Sequence, residues 1–451
     1  MRSRCFCVTL LFAISLLLPE VQAAEWPRLR GPNGSGLDSS APIPADWSDE
    51  HLVWRIDLPG EGQGSPVVSG ERIFLLAAEE VTTASRGNGE ERAVDRAAGG
   101  GKAKAKAKAR GKAKRGLSYR WVALCLSRTD GSILWRKEFP AGEFRGHRFN
   151  SAASSSAAVD AERVVFTWGT AAQLTLVALD HGGDLLWKAD QGPVAGGHGF
   201  GGSPMIFEDL VVLNNDQDRQ RGNLFALDRA TGDVAWTVER RSERISYSVP
   251  CAYRAPEGRE VLVFTNWQHG FTAVDPETGE VVAEKSVFDT TTNERAISSP
   301  VVAGDLVIGT CGFTANPKHC VAMRLEGDEW IEVWRIERNV PHIPSPLVVG
   351  PRVYLVEDSG ILTCVEAATG EIHYRNRIEA VEGSVFGSPV SDGEKVFFAD
   401  ESGNVHVLAT GDEYHYLATN RLGEPCRTTP ALAGGVLFLR TATKLHAISA
   451  R

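Results

Sequence analysis

Ser299-Pro300-Val301-Val302-Ala303-Gly304 is a phrase that returns, in variants, along the whole chain. Its key step recurs at Ser65-Pro66, Ser203-Pro204, Val249-Pro250, Ser345-Pro346, Ser388-Pro389 and Thr429-Pro430, with a degenerate copy at Ser156-Ala157. From Ala157 onward the copies stand 41–50 residues apart. A period of that length written in β-branched and apolar residues is the signature of propeller blades.

A second phrase lies between the copies of the first. Its cleanest form runs from Leu227 to Trp236, with Asp228, Thr231 and Gly232 at its centre. Related forms occupy Val274–Gly279 and Val365–Gly370, and looser ones end at Trp135 and Trp187. Asp caps such a turn through its carboxylate, and Gly takes the positive φ that closes it. The flanking apolar residues alternate with period two, as half-buried strands require. A terminal Trp then offers a large flat surface to the neighbouring blade.

Each unit therefore reads as four strands. The Ser-Pro step opens the innermost strand, where Pro is tolerated at the first position. The last unit stops at Arg451 after only three strands, while His51–Ile56 is an orphan outer strand near the start of the chain. Pairing the two removes an exposed edge. The sequence thus predicts an all-β fold: an eight-bladed β-propeller of four-stranded blades over 51–451, its ring closed by the N-terminal strand 51–58 completing the last blade. Residues 25–50 form an N-terminal extension.

Composition fits one large folded unit, with 43% hydrophobic residues, 46 Gly and 11 Trp. Residues 1–24 read as a cleaved signal peptide: Arg2 and Arg4 precede an apolar run from Val8 to Leu18, too short to span a bilayer. The mature chain is therefore expected in the periplasm or secreted, as a monomer. Between Ala78 and Ser118 a long insertion interrupts blade 1, and eight basic residues without an acid fall between Lys102 and Arg115. Such a segment has too little apolar surface to fold, so a disordered loop over about 78–118 is expected. The basic run 102–115 is suited to an anionic polymer or a membrane surface. Six cysteines lie outside the leader without metal-ligand spacing, so no metal site is expected. Cys311 and Cys320 are the one pair placed to bridge a hairpin as a disulfide.

Propellers place ligands on their axis, and the residues just before each inner strand should ring one mouth of the channel. Those residues are Arg145, His147, Arg148 and Asn150 in blade 2, His198 in blade 3, and Arg244 in blade 4. Blades 5, 6 and 8 contribute Asn293, Glu294 and Arg295, then His342, then Arg427. Cationic groups against low-dielectric walls concentrate potential, which points to a small anion in the axial channel. No nucleophile elbow, phosphate loop or zinc-helix motif occurs in the chain.

The repeated Ala-x-Asp-x-x-Thr-Gly-x-x-x-Trp pattern, with the Ser-Pro steps, resembles the PQQ-like propeller repeat family across the mature chain. Trp26-Pro27, Arg30-Gly31-Pro32-Asn33-Gly34 resembles its secreted bacterial single-propeller members. The resemblance implies one of two roles: a non-catalytic BamB-type propeller that holds other proteins, or a quinoprotein sugar or alcohol dehydrogenase that binds PQQ and calcium. The dehydrogenases carry an adjacent Cys-Cys pair and converging Glu, Asn and Asp ligands. This chain has no adjacent cysteine pair in its mature part and only Asn150, Asn293 and Glu294 as channel counterparts, Glu294 being the base under that reading. The expectation is a scaffold module with a protein partner in the cell envelope and no cofactor.

Overall fold

The computed structural model describes residues 25–81, 117–291, 294–313 and 317–450, without the side chains of residues 220 and 221. The leader 1–24, the basic run 102–115 and Asn293 lie outside the described residues. Eight antiparallel sheets, one per predicted unit, form the propeller. The inner strands are Val67–Ser69, Ala158–Val159, Met205–Phe207, Cys251–Arg254, Val301–Ala303, Leu347–Val349, Val390–Ser391 and Ala431–Ala433. Each begins immediately after its Ser-Pro or equivalent step.

The ring closes as expected. Leu52–Asp57 pairs antiparallel with Lys444–Ser449, from Leu52↔Ile448 to Asp57↔Lys444, and supplies the outer strand of blade 8. Between blades lie apolar clusters such as the one joining blades 8 and 1 through Trp54, Leu75, Leu124 and Phe438.

Two recurrent bonds explain the two sequence phrases. Around the axis, a backbone N–H of one blade donates to the hydroxyl of the next. Ser65 donates to Ser156 (2.8 Å), Ser156 to Ser203 (2.9 Å), and Val249 to Ser299 (3.0 Å). Ser299 to Ser345, Ser345 to Ser388 and Ser388 to Thr429 continue the chain at 2.9 Å. These N–H groups are buried, and an unpaired one would cost about 1–3 kcal/mol. At the periphery of five blades, the outer-strand Trp lies on the turn of the next blade and its indole N–H donates to a carbonyl there. Trp54 reaches Arg128, Trp135 reaches His181, Trp187 reaches Arg229, Trp236 reaches Pro276 and Trp334 reaches Ala367, all at 2.8–2.9 Å. Blades 4, 6 and 7 lack that Trp.

Blade 1 corrects the limits set for its insertion. Its middle strands are long, Arg72–Glu80 and Leu117–Ser127, and stay paired to Glu80↔Tyr119. Gly142–Phe144 adds a fifth strand on Leu117–Tyr119. Alternating burial through Trp121, which stacks on Trp168 at 5.6 Å, gives this hairpin its own apolar anchor. Ala78–Glu80 and Leu117–Ser118 are therefore strand, not loop.

The disulfide expectation is also corrected. Cys311 pairs in register with His319, and Cys320 with Thr310. One residue of offset turns the two thiols to opposite faces of the sheet. Cys311 packs with Tyr253 and Phe271, Cys320 with Trp334 and Leu355, and all six described cysteines are free and buried.

The N-terminal extension is built into the ring. Trp26 pairs with Val68, the Pro27 carbonyl accepts from Val159, Asn33 exchanges two bonds with Ala252, and Leu37 bridges Ser391. Arg28 donates to the Pro250 carbonyl (2.8 Å) and Arg30 to the Pro346 carbonyl (2.6 Å). The backbone and Asn33 contacts fall on the inner strands, at the end of the channel opposite the predicted mouth, and the two guanidinium groups reach the Pro carbonyls that immediately precede two of those strands. Gly34 and Gly36 leave room for the two guanidinium groups, which a Cβ would approach to 2.7 and 2.8 Å. The Trp-Pro…Arg-Gly-Pro-Asn-Gly stretch is thus a plug.

Candidate functional site in the axial cavity

The residues that precede each inner strand converge on an axial cavity of about 890 Å³. Its waist is the hydroxyl ring, and Leu29 of the plug lies at its lower end. Of the predicted residues, His147, Arg148, Asn150, His198, Arg295, His342 and Arg427 line it. Arg145 does not: it is exposed and paired with Glu143 at 2.9 Å. Arg244 stands behind Arg295, and burial, then the charge of Arg295, lowers its pKa. Glu294 turns the other way into the blade 4–5 core, where its carboxylate meets the Cys311 thiol at 3.6 Å. Burial first and Glu294 second push that thiol well above its ordinary range.

The blade 2 loop folds over the mouth. The His147 N–H donates to the His198 carbonyl, and the Asn150 amide donates to the carbonyls of His198 (2.8 Å) and Phe200 (3.1 Å). The two imidazoles stack 4.9 Å apart. Burial, with Arg295 next, drives the His198 pKa down to about 4; burial, then Arg148 and Arg295, lowers His147. Arg295 donates to His198 Nδ1 at 3.4 Å, so the proton of this neutral ring sits on Nε2.

Phe149, at the tip of that loop, spans the mouth to blades 7 and 8. It lies 5.2 Å from Phe386, with the Arg148 guanidinium 4.6 Å and that of Arg427 5.3 Å from its ring centre. Arg427 also donates to the Arg148 carbonyl and pairs with Glu401. Phe149 remains 37% exposed, so this arginine–aromatic cluster faces solvent.

Sequence reasoning missed the opposite wall. Lys318 pairs with Glu357 and, at 2.9 Å, with Asp358; His342 lies 3.6 Å from the same Asp358. Burial alone would raise the Asp358 pKa, but its bonds to His342 and Lys318 overcome that and hold it at about 2. Lys318, Glu357 and Asp358 sit between the second and third strands of blades 5 and 6, a position the repeat phrases do not mark. The Asn214–Asp218 run is structural: Asp216 is buried against Arg240 (2.5 Å) and accepts from Asn266 (2.7 Å).

Of the three calcium-ligand counterparts read from the sequence, Asn150 lines the cavity, Glu294 turns into the blade 4–5 core and Asn293 lies outside the described residues. Among the described residues no group of three or more His, Cys, Asp or Glu side chains is placed to hold a metal. The carboxylates that do line the cavity, Glu357 and Asp358, are already held by Lys318.

The model of the family described as outer membrane protein assembly factor BamB matches residues 120–372 and 331–451. The chain belongs to this family of PQQ-like propellers. The BamB of Burkholderia pseudomallei is 23% identical over 265 residues, 57% of this chain and 64% of that protein. The chain thus spans less than two thirds of this relative's length. BamB from Moraxella catarrhalis superposes with a TM-score of 0.54 at 15% identity, over 73% of this chain and 89% of that one. The Dos1 propeller gives 0.52 at 10% identity, over 73% and 88%. At these identities the solved structures speak for the fold alone.

Proposed function

We propose that this chain is a non-catalytic propeller of the cell envelope, periplasmic or secreted, that holds another protein at the rim of its axial cavity. One observation carries the reading: Phe149, Phe386, Arg148 and Arg427 form a solvent-facing arginine–aromatic cluster where three blades meet. Aromatic and Arg side chains are the groups that dominate binding energy at protein interfaces. The name of the matched relatives, outer membrane protein assembly factor, supports an envelope partner.

A photo-crosslinking residue at Phe149, with a control at Leu134 on the outer rim, tests this in the native host. The reading expects one defined envelope protein to crosslink at 149 and not at 134. Equal patterns at both positions would reject it. So would saturable binding of PQQ with calcium accompanied by dye-linked oxidation of a sugar or an alcohol.

A further inference from the structure

We propose that the axial cavity binds a small organic anion, an oxyanion carried on an aromatic or apolar body, with Arg295 and Arg148 as its counter-charges. A volume of about 890 Å³ falls in the range of roughly 300–1,000 Å³ typical of small-molecule sites. Leu29 lies at the lower end and the Phe149 loop arches over the upper, which favours a small molecule over a protein segment.

Charge balance gives the ligand its sign. Lys318 and Arg427 are each paired with carboxylates. Among the described residues neither Arg148 nor Arg295 forms an ion pair, and both line the cavity. Arg295 is only 6% exposed, and its Nε has no hydrogen-bond partner among the described residues. His342, 5% exposed on another wall, likewise has no partner for Nε2. Leaving a buried guanidinium nitrogen unpaired is costly, and native interiors avoid it unless a ligand, an ion or water completes the site.

The remaining donors suit an oxyanion. His198 accepts from Arg295 at Nδ1 and so keeps a hydrogen on Nε2. The ring hydroxyls of Ser156, Ser299 and Ser345 each accept one N–H and retain a hydrogen to donate. Leu29, Ile297 and Phe313 give the cavity an apolar wall for the body of the ligand.

Four probes decide it, each titrated into the whole chain: benzoate, phenyl phosphate, inorganic phosphate and neutral benzyl alcohol. Calorimetry and the ring resonances of His147 and His198 are the readouts. The proposal expects one saturable site for an aromatic anion, at least about tenfold tighter than for benzyl alcohol, with both histidine signals moving. Benzoate against phenyl phosphate separates a carboxylate from a phosphate ligand. Arg295→Met should weaken binding about tenfold or more, and the exposed Arg148→Met, which does not disturb the core, severalfold. Arg229→Met, remote from the cavity, should change nothing. Equal binding of benzyl alcohol, unmoved histidine signals with every probe, or wild-type affinity in both arginine variants would overturn the proposal. Inorganic phosphate binding as tightly as phenyl phosphate would overturn the apolar part of it.

Discussion

Gly232 closes the turn between the third and outer strands of blade 3 at φ 78, and a Cβ there would stand 2.7 Å from the Trp187 ring of blade 2. The Asp228 carboxylate fixes the same turn by accepting from the Ala230 and Thr231 N–H groups, bonds that lower its pKa, Thr231 contributing most. Two constraints therefore coincide on one residue, a left-handed backbone and an indole in van der Waals contact. They can be separated by experiment. Gly258 has φ 96 with nothing within 4 Å of its hypothetical Cβ. Gly258→Ala should cost the backbone part alone, about 1 kcal/mol. Gly232→Ala should cost that and a further 1–3 kcal/mol, approximately, for displacing Trp187. Urea unfolding midpoints check both; equal losses would mean that the indole yields freely and that the blade seam is softer than its geometry.

The strand Leu52–Asp57 makes the ring a closed object. It completes blade 8, and its Trp54 seals the seam to blade 1 by donating to the Arg128 carbonyl and packing over Gly131. Trp54→Ala removes a nearly buried indole and should cost about 3–5 kcal/mol. Its particular mark is local: amides of Lys444–Ser449 and Ile133–Glu138 should exchange faster than those of blades 4 and 5. Uniform acceleration would show that the ring opens as one unit instead. This element, like the blade count, was legible in advance, because repeat phrases record bonds that every blade must make. The Ser-Pro step marks the start of each inner strand in the sequence, but that its hydroxyl is the acceptor linking neighbouring blades emerges only from the assembled ring. The plug was visible as a motif, but the Arg28 and Arg30 partners are carbonyls hundreds of residues away, and carbonyls carry no sequence identity. The cavity divides in the same way. His147, His198 and Arg295 stand at repeat-marked positions before inner strands. Lys318, Glu357 and Asp358 come from hairpins whose length and composition vary by blade. Glu294 and Arg295 are neighbours in sequence in the segment before the blade 5 inner strand, where only Arg295 makes an isolated bridge, to Gly312; one is buried in the core and the other lines the cavity.

Across the whole molecule, buried titrating groups set the response to acid. His446 is buried in blade 8, and burial, then Arg55, lowers its pKa to about 4; His198 is held at about 4 by burial and Arg295. Both have an ordinary value of 6.5, so as the pH falls the unfolded chain takes up these protons first. Stability therefore holds above pH 6.5 and drains away between 6.5 and 4. His269 acts in the opposite sense, since its bond to Glu284 raises its pKa, and it offsets part of the loss. Below this window two carboxylates take over. Asp358 and Glu424 are held at about 2 against ordinary values of 3.8 and 4.5; burial opposes both shifts, and their bonds to His342 and Lys318, and to Lys444, Thr441 and Thr443, prevail. Their contribution is present above about pH 4.5 and is lost as the pH falls through 2. The melting temperature should thus decline in two stages on acidification, first with the histidines and then with the carboxylates. The double variant His198→Gln, His446→Gln should flatten the first stage and leave the second unchanged. A wild-type slope between pH 6.5 and 4 in that variant would assign the acid response to other groups. An anion bound beside Arg295 would neutralise a charge that helps depress His198 and so raise its folded-state pKa; saturating benzoate should therefore remove the lower-pH part of the first stage in the wild type and leave the double variant's slope as it is.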